Sequence, residues 1–323
     1  MLVPKYWAEH REVKRVRGRE AVVRRFGWSD ESPEAALAHA KARVAEAFEE
    51  LEAGGRPARR EPKVPYNGAD GVPIREEIVE THGDVVITRN GYGARCLNTP
   101  DVLFADVDLV EPEGFNPFRW IGIYLIVAGL VAYWFRSGWV FLAGVIASFA
   151  LPFPMERALQ ALRRRRAAVA DRARERIRAF AAAHPDWTLR VYRTPAGFRV
   201  LVMHRTFTPD DPEAGAFFEA LGTDRIYVRM CRHQRCFRAR LSPKPWRIGV
   251  KTHIRPARGA WPVSREVLPL RRTWVAEYES VARDFAACSF EEELGDRRPD
   301  PKAEAVRDLH DRACRVHDDL PLA

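Results

Sequence analysis

Between Arg225 and Arg258 the chain has no Asp or Glu, yet it carries eleven Lys or Arg. The formal net charge is +9, so the rest of the sequence is slightly acidic, at about −2. A solvated protein face ordinarily mixes both signs. A stretch of one sign points instead to a polyanionic partner: nucleotide phosphates, nucleic acid or anionic lipid headgroups. Cysteine is scarce as well. Five are scattered over 323 residues with no C-x-x-C, which excludes a disulfide framework and suits a reducing compartment. The first 25 residues are rich in Lys, Arg and Glu and lack an apolar core, so no signal peptide is expected. No Gly-rich phosphate loop, G-x-S-x-G or H-E-x-x-H occurs, which removes the nucleotide-loop, hydrolase-elbow and zincin signatures. There is no internal repeat, and the one biased segment is Ala/Arg-rich.

Charge is also missing from FRWIGIYLIVAGLVAYWF and WVFLAGVIASFALPF, which flank the tripeptide Arg136-Ser137-Gly138 and in which Arg119 is the sole charge. A lipid core takes roughly 20 mostly apolar residues per helical crossing, so a transmembrane helical hairpin is predicted over residues 118–154. Trp120, Tyr124, Tyr133, Trp134 and Trp139 lie toward the ends of the runs, where aromatic belts form. The small residues of Gly144-x-x-x-Ser148 and Ala143-x-x-x-Ala147 would let the helices approach. Arg157 and the run Arg163, Arg164, Arg165 and Arg166 form a basic flank. By the positive-inside rule they predict an inner-membrane protein, multi-pass or re-entrant, with the bilayer as partner and both termini cytoplasmic.

The remaining residues form an N-terminal helical region and linker (1–73) and a cytoplasmic α+β domain in two parts (74–117 and 155–323). Ser32-Pro33-Glu34 opens a helix with stripe residues Leu37, Val44, Phe48 and Leu51, stopped by Gly54-Gly55. Residues 74–80 suggest a short helix. Strands are expected at 84–88, 95–98 and 102–110, the first two joined at Asn90-Gly91. A long helix over 155–184 ends at Pro185. A β-hairpin at 188–203 turns at Thr194-Pro195-Ala196-Gly197. Beyond it come a helix at 211–221, strands at 226–230 and 236–241, and helices at 264–290 and 301–318. The order strand, hairpin, helix, strand, strand is a βαββ pattern. It predicts an α+β fold in which residues on both sides of 118–154 share one sheet.

Asp106-Val107-Asp108 ends an apolar strand, and residues i and i+2 share a face, so both carboxylates suit Mg²⁺ or Mn²⁺. The alternative is a solvated strand end, or pairing with the basic stretch. A third acid among Asp210, Asp211, Glu213 and Asp224 would strengthen the metal reading. In Cys236–Leu241, Arg238 and Arg240 share one face and are spaced to clamp phosphate, with Lys244, Trp246 and Arg247 following. Internal ion pairing by these cations is the bland alternative. Cys231, His233 and Cys236 lack a second close pair for zinc. His310, Cys314 and His317 read as a packed or solvent-facing helix stripe rather than a metal site.

The blocks ITRNGYGARCLNTPDVLFADVDL, RVYRTPAGFRVLVMH and RIYVRMCRHQRCFRARLSPKPWR, with PLA at the end, resemble an uncharacterised family of bacterial membrane proteins over roughly residues 64–110 and 187–247. That resemblance implies no activity. A more distant similarity is to archaeo-eukaryotic primase-polymerases, which carry D-x-D on a strand of an RRM-like core, a later strand motif with a small residue and a His, and a further acid. Asp106 and Asp108 match the first motif. TPAGFRVLV stands at the second, with Arg199 about where its His would be, so Arg199 joins the anion-binding candidates. Asp224 is the choice for the third. The resemblance implies an RRM-like fold and a site for a phosphate-rich ligand. The departure at Arg199 counts against polymerase activity. The competing expectation is a non-enzymatic scaffold whose basic face meets anionic lipid or a partner protein.

Overall fold

The computed structural model describes residues 3–58, 72–109, 152–255 and 261–323, with single positions between 126 and 139. Contacts divide the chain into two compact units. One joins Met1–Asp108 to Arg178–Ala323, and the other is Leu109–Ile177.

The larger unit opens with a β-hairpin, β1 (Tyr6–Val16) and β2 (Arg19–Ser29), paired from Tyr6↔Ser29 to Val16↔Arg19. Arg17 and Gly18, both at positive φ, make its two-residue turn. Helix α1 (Pro33–Glu52) follows with the expected cap: Ser32 Oγ accepts from the Ala35 N–H, and Pro33 takes the first helical position. Val44, Ala47 and Phe48 of α1 pack on Val16 and Val23 of the hairpin. Gly27 lets the helix come close, since a Cβ there would lie 2.2 Å from the Ala36 carbonyl and the Ala40 nitrogen.

Two four-stranded antiparallel sheets carry the rest of this unit. The first has the order β3 (Glu77–His82), β4 (Val85–Arg89), β5 (Arg95–Thr99) and β9 (Phe237–Arg240). The second runs β10 (Ser289–Leu294), β7 (Leu189–Thr194), β8 (Gly197–Val202) and β6 (Phe104–Asp108). β6 therefore pairs with β8, and β7 lies on the other side of β8. Residues from before and after 118–154 share one sheet in the βαββ order. Every residue of β8 is buried, as a central strand covered on both faces requires.

The hairpin turns form where the sequence places them. The Asn90 side chain accepts from the Tyr92 and Ala94 N–H groups, and Thr194 Oγ1 accepts from those of Ala196 and Gly197. Helices α3 (Pro212–Leu221), α4 (Arg225–Gln234), α5 (Leu268–Ala282) and α6 (Pro301–Cys314) complete the unit. Three of them start at an aspartate cap, Asp211, Asp224 and Asp300.

Several expectations are corrected. Residues 77–82 form a strand, not part of a helix, and the N-terminal region opens with a β-hairpin. Residues 226–230 belong to helix α4: Tyr227, Met230, Cys231 and Gln234 are its buried face, at helical and not alternating spacing. The helix expected over 264–290 stops at Ala282, and β10 begins at Ser289.

The membrane reading is corrected too. Among the described residues no helix is long and apolar enough to cross a membrane. The inserted transmembrane hairpin and the multi-pass inner-membrane placement are therefore not borne out. Most of 118–151 lies outside the described residues. The long helix that follows, α2 (Pro152–Ala183), has the length to cross but not the composition, since twelve of its 32 residues are charged. Arg163, Arg164, Arg165 and Arg166 fall within it, and they flank no membrane-crossing helix among the described residues.

Candidate functional site

The ends of β6 and β9, the cap of α4 and the β4–β5 turn come together at one corner of the larger unit. The two sheets are tied there by side chains. The Tyr227 hydroxyl lies 3.0 Å from the Phe104 and Arg238 carbonyls and accepts from the Arg238 N–H. Arg199 donates from Nη1 to the Arg240 carbonyl at 2.8 Å, joining β8 to β9.

Arg199 is buried and grips Asp106 with two nitrogens, Nε to Oδ1 at 2.8 Å and Nη2 to Oδ2 at 3.4 Å. Burial works against its charge, but Asp106 outweighs that and raises the guanidinium pKa above its ordinary value. Arg199 is thus the internal counter-ion of Asp106, and its burial leaves no face for an external anion. Arg238 is likewise committed. It donates to Glu76 at 2.6 Å, and that carboxylate is buried and also accepts from Thr88.

Asp108 differs. It is exposed at the strand end, and burial of its surroundings, with Asp106 and Asp224 as like charges, raises its pKa above the usual carboxylate range. Asp224, the cap of α4, is within electrostatic reach of it, as are Lys244 and Arg240. Lys244 is pushed down from its ordinary value by burial and by the neighbouring Arg240 and Arg247. Arg247 is pushed down by burial and Arg240. Three cations therefore repel one another beside three acids. Arg240 Nε and Arg247 Nη1 are buried and find no hydrogen-bond partner among the described residues, an unmet demand that costs about 1–3 kcal/mol per group.

The local sequence explains the cluster. β9 stops at Arg240, and Pro243 and Pro245 prevent further strand pairing. Pro245–Arg247 close into a 3₁₀ turn, with the Arg247 N–H donating to the Lys244 carbonyl at 2.9 Å. The turn lifts Trp246 out, 57 % exposed, with Tyr92 edge-on at 5.2 Å and Lys244 Nζ 5.5 Å from its ring centroid. Burial raises the Tyr92 hydroxyl pKa, and the nearby Arg240 guanidinium works against that rise.

Of the residues singled out in the sequence, Asp106, Asp108, Arg240, Lys244 and Arg247 meet here. Arg199 and Arg238 are structural pairs. Arg164 of α2 is exposed, and the side chains of Arg163, Arg165 and Arg166 lie outside the described ones. Tyr92 was not foreseen; its place in the Asn90 turn was its only signal. For a divalent cation the fit is partial. Asp106 is engaged by Arg199, while Asp108 and Asp224 carry like charge that a hard cation would relieve.

A second cluster lies behind Arg199. His310 is fully buried, its Nδ1 2.9 Å from Asp311 Oδ1 and its Nε2 3.3 Å from Arg199 Nη1 and 3.9 Å from Cys288 Sγ. Cys314, one helical turn after His310, completes it. Cys288 carried no signal in the sequence, and His317 is not among these residues: it is exposed beside Asp311. His233 is exposed too, so Cys231 and Cys236 share no metal group with it among the described residues.

The chain matches no protein-family model, and none of the curated proteins or solved structures is significantly similar to it.

Proposed function

We propose that this protein binds a nucleotide through its phosphates, with Arg240, Lys244 and Arg247 as the anion site and a divalent cation, Mg²⁺ or Mn²⁺, at Asp108. The observation that carries this reading is the clustering of three mutually repelling cations beside Asp108, whose charge is already opposed by Asp106 and Asp224. Each set is costly alone, and a phosphate–metal pair would satisfy both. Trp246 offers an exposed ring on which a base can stack. Cations gathered at a point suit the terminal phosphates of a mononucleotide better than the backbone of a long strand, which asks for an extended row. Whether catalysis follows binding depends on Asp106, which Arg199 already occupies, so binding is the function proposed.

Isothermal titration of the purified protein with a nucleoside triphosphate, with and without Mn²⁺, tests this. Saturable binding strengthened by Mn²⁺ and weakened in Asp108→Asn is expected. Equal binding by wild type and by Lys244→Ala would refute the anion site. Tighter binding of a single-stranded oligonucleotide than of the mononucleotide would shift the ligand to nucleic acid.

A further inference from the structure

Cys288, His310 and Cys314 place their ligand atoms within 4.8 Å of one another, and all three residues are buried. His310 and Cys314 are four apart on α6, so they share one helix face. Cys288 comes from the segment between α5 and β10. In a tetrahedral zinc site, bonds of about 2.0–2.3 Å hold the ligand atoms roughly 3.5–3.8 Å apart. The Cys288 Sγ to His310 Nε2 distance is already 3.9 Å.

The outer shell is the part a packed core histidine does not need. Asp311 Oδ1 accepts from His310 Nδ1, and the same carboxylate is fixed by the Tyr192 hydroxyl at 2.6 Å and by Arg190 Nη2 at 2.8 Å. With Asp311 accepting from Nδ1, Nε2 is left as the acceptor nitrogen, with Arg199 Nη1 at 3.3 Å and Cys288 Sγ at 3.9 Å beside it. A carboxylate behind a histidine whose other nitrogen faces thiols is the orienting arrangement of metal-bound imidazole.

We propose that Cys288, His310 and Cys314 bind a zinc ion. The fourth position falls to a water or to the Arg240 carbonyl oxygen, 3.6 Å from Cys314 Sγ. Two thiolates and one Zn²⁺ sum to zero charge, so the ion can sit near the buried Arg199. Arg199 would give up its contact to Nε2 and keep Asp106 and the Arg240 carbonyl. A cleft of about 900 Å³ is lined in part by Arg190, Asp311 and His317, next to the site, although none of the three ligand residues lines it. The soft donors select zinc over the hard cations suited to Asp108. The bound ion would pin α6 and the start of β10 beneath the strand that carries Arg240. This inference does not rest on nucleotide binding.

Cobalt substitution tests it. Chelator-stripped, reduced protein titrated with Co²⁺ should develop the thiolate-to-cobalt charge-transfer absorption, saturating at one equivalent. Cys288→Ser and Cys314→Ser should lose the band, and Asp108→Asn should keep it. If the serine variants fail to fold, X-ray absorption at the zinc edge of wild-type protein decides, with two sulfurs and one imidazole expected in the inner shell. An inner shell of oxygen and nitrogen alone, no stoichiometric uptake, or a Cys288–Cys314 disulfide in freshly purified protein would each overturn the proposal.

Discussion

Arg238 and Arg240 stand two residues apart on β9, on the same face of the strand, in one run of unbroken positive charge. Arg238 lies under the segment that precedes β3 and is held there by Glu76 at 2.6 Å. Arg240 lies at the open end, beside Tyr92, Lys244 and Arg247, with a buried nitrogen unpartnered among the described residues. Arg199, on β8 of the other sheet, behaves like Arg238. A basic stretch is therefore not a single functional object. Where a carboxylate is buried nearby the cation becomes part of the fold; where the strand ends and prolines break the pairing, it is left for something else.

The largest expected effect separates these two kinds of arginine. Arg238→Met strands Glu76 as an unpaired buried charge and should cost about 3–5 kcal/mol in urea unfolding. Arg199→Met should fall near the lower end of that range, because Asp106 keeps some contact with water. Arg240→Met should cost under about 1 kcal/mol. Equal losses at positions 238 and 240 would break the comparison.

Next in size is binding. Lys244→Ala combined with Arg247→Ala removes two charge-assisted partners, each worth about 1.5–3 kcal/mol. Affinity for a nucleoside triphosphate should fall at least tenfold, with little change in Tm. Trp246→Ala should weaken a nucleotide by about 1 kcal/mol, while free orthophosphate, which has no base, should bind equally well. Quenching of tryptophan fluorescence by the nucleotide, lost in this variant, would place the base.

The parts of this arrangement that were legible in the sequence are those fixed locally. Ser32-Pro33, Asp211 and Asp300 cap helices because a side-chain oxygen reaches the next N–H groups whatever the rest of the chain does. Asp106 and Asp108 could be assigned to a strand end because the run before them is apolar. What was not legible depends on partners distant in sequence. Arg238 and Glu76 are 162 residues apart, and Arg199 and Asp106 are 93 apart, so spacing alone could not say which cations are spent. Helix α4 was misread because Ile226-Tyr227-Val228 favours strands residue by residue. Its buried face shows only when positions 227, 230, 231 and 234 are taken together, and missing the helix hid the reason Asp224 sits where it does. The apolar runs at 118–153 were read from their length, their aromatic ends and the basic flank, and such local features fix no fold until the partners of a segment are known.

The smallest effect is the most diagnostic, because its sign is unusual. The fold raises the Asp108 pKa through burial and through Asp106 and Asp224, so the folded state favours the protonated acid. Its stabilising share is complete below the unfolded carboxylate pKa of about 3.9 and is lost as pH rises through the higher folded value. At neutral pH the ionised Asp108 is therefore a liability, and Asp108→Asn should raise Tm. The gain should be absent in acid, grow as pH climbs through the carboxylate range, and level off above it. Mn²⁺ should then narrow the gap by stabilising the wild type alone, since the ion relieves the charge that the asparagine has already removed. If Asp108→Asn lowers Tm at neutral pH, the carboxylate has a permanent partner and resembles Asp106. If the gain appears but ignores Mn²⁺, the acids crowd one another for a reason other than a cation.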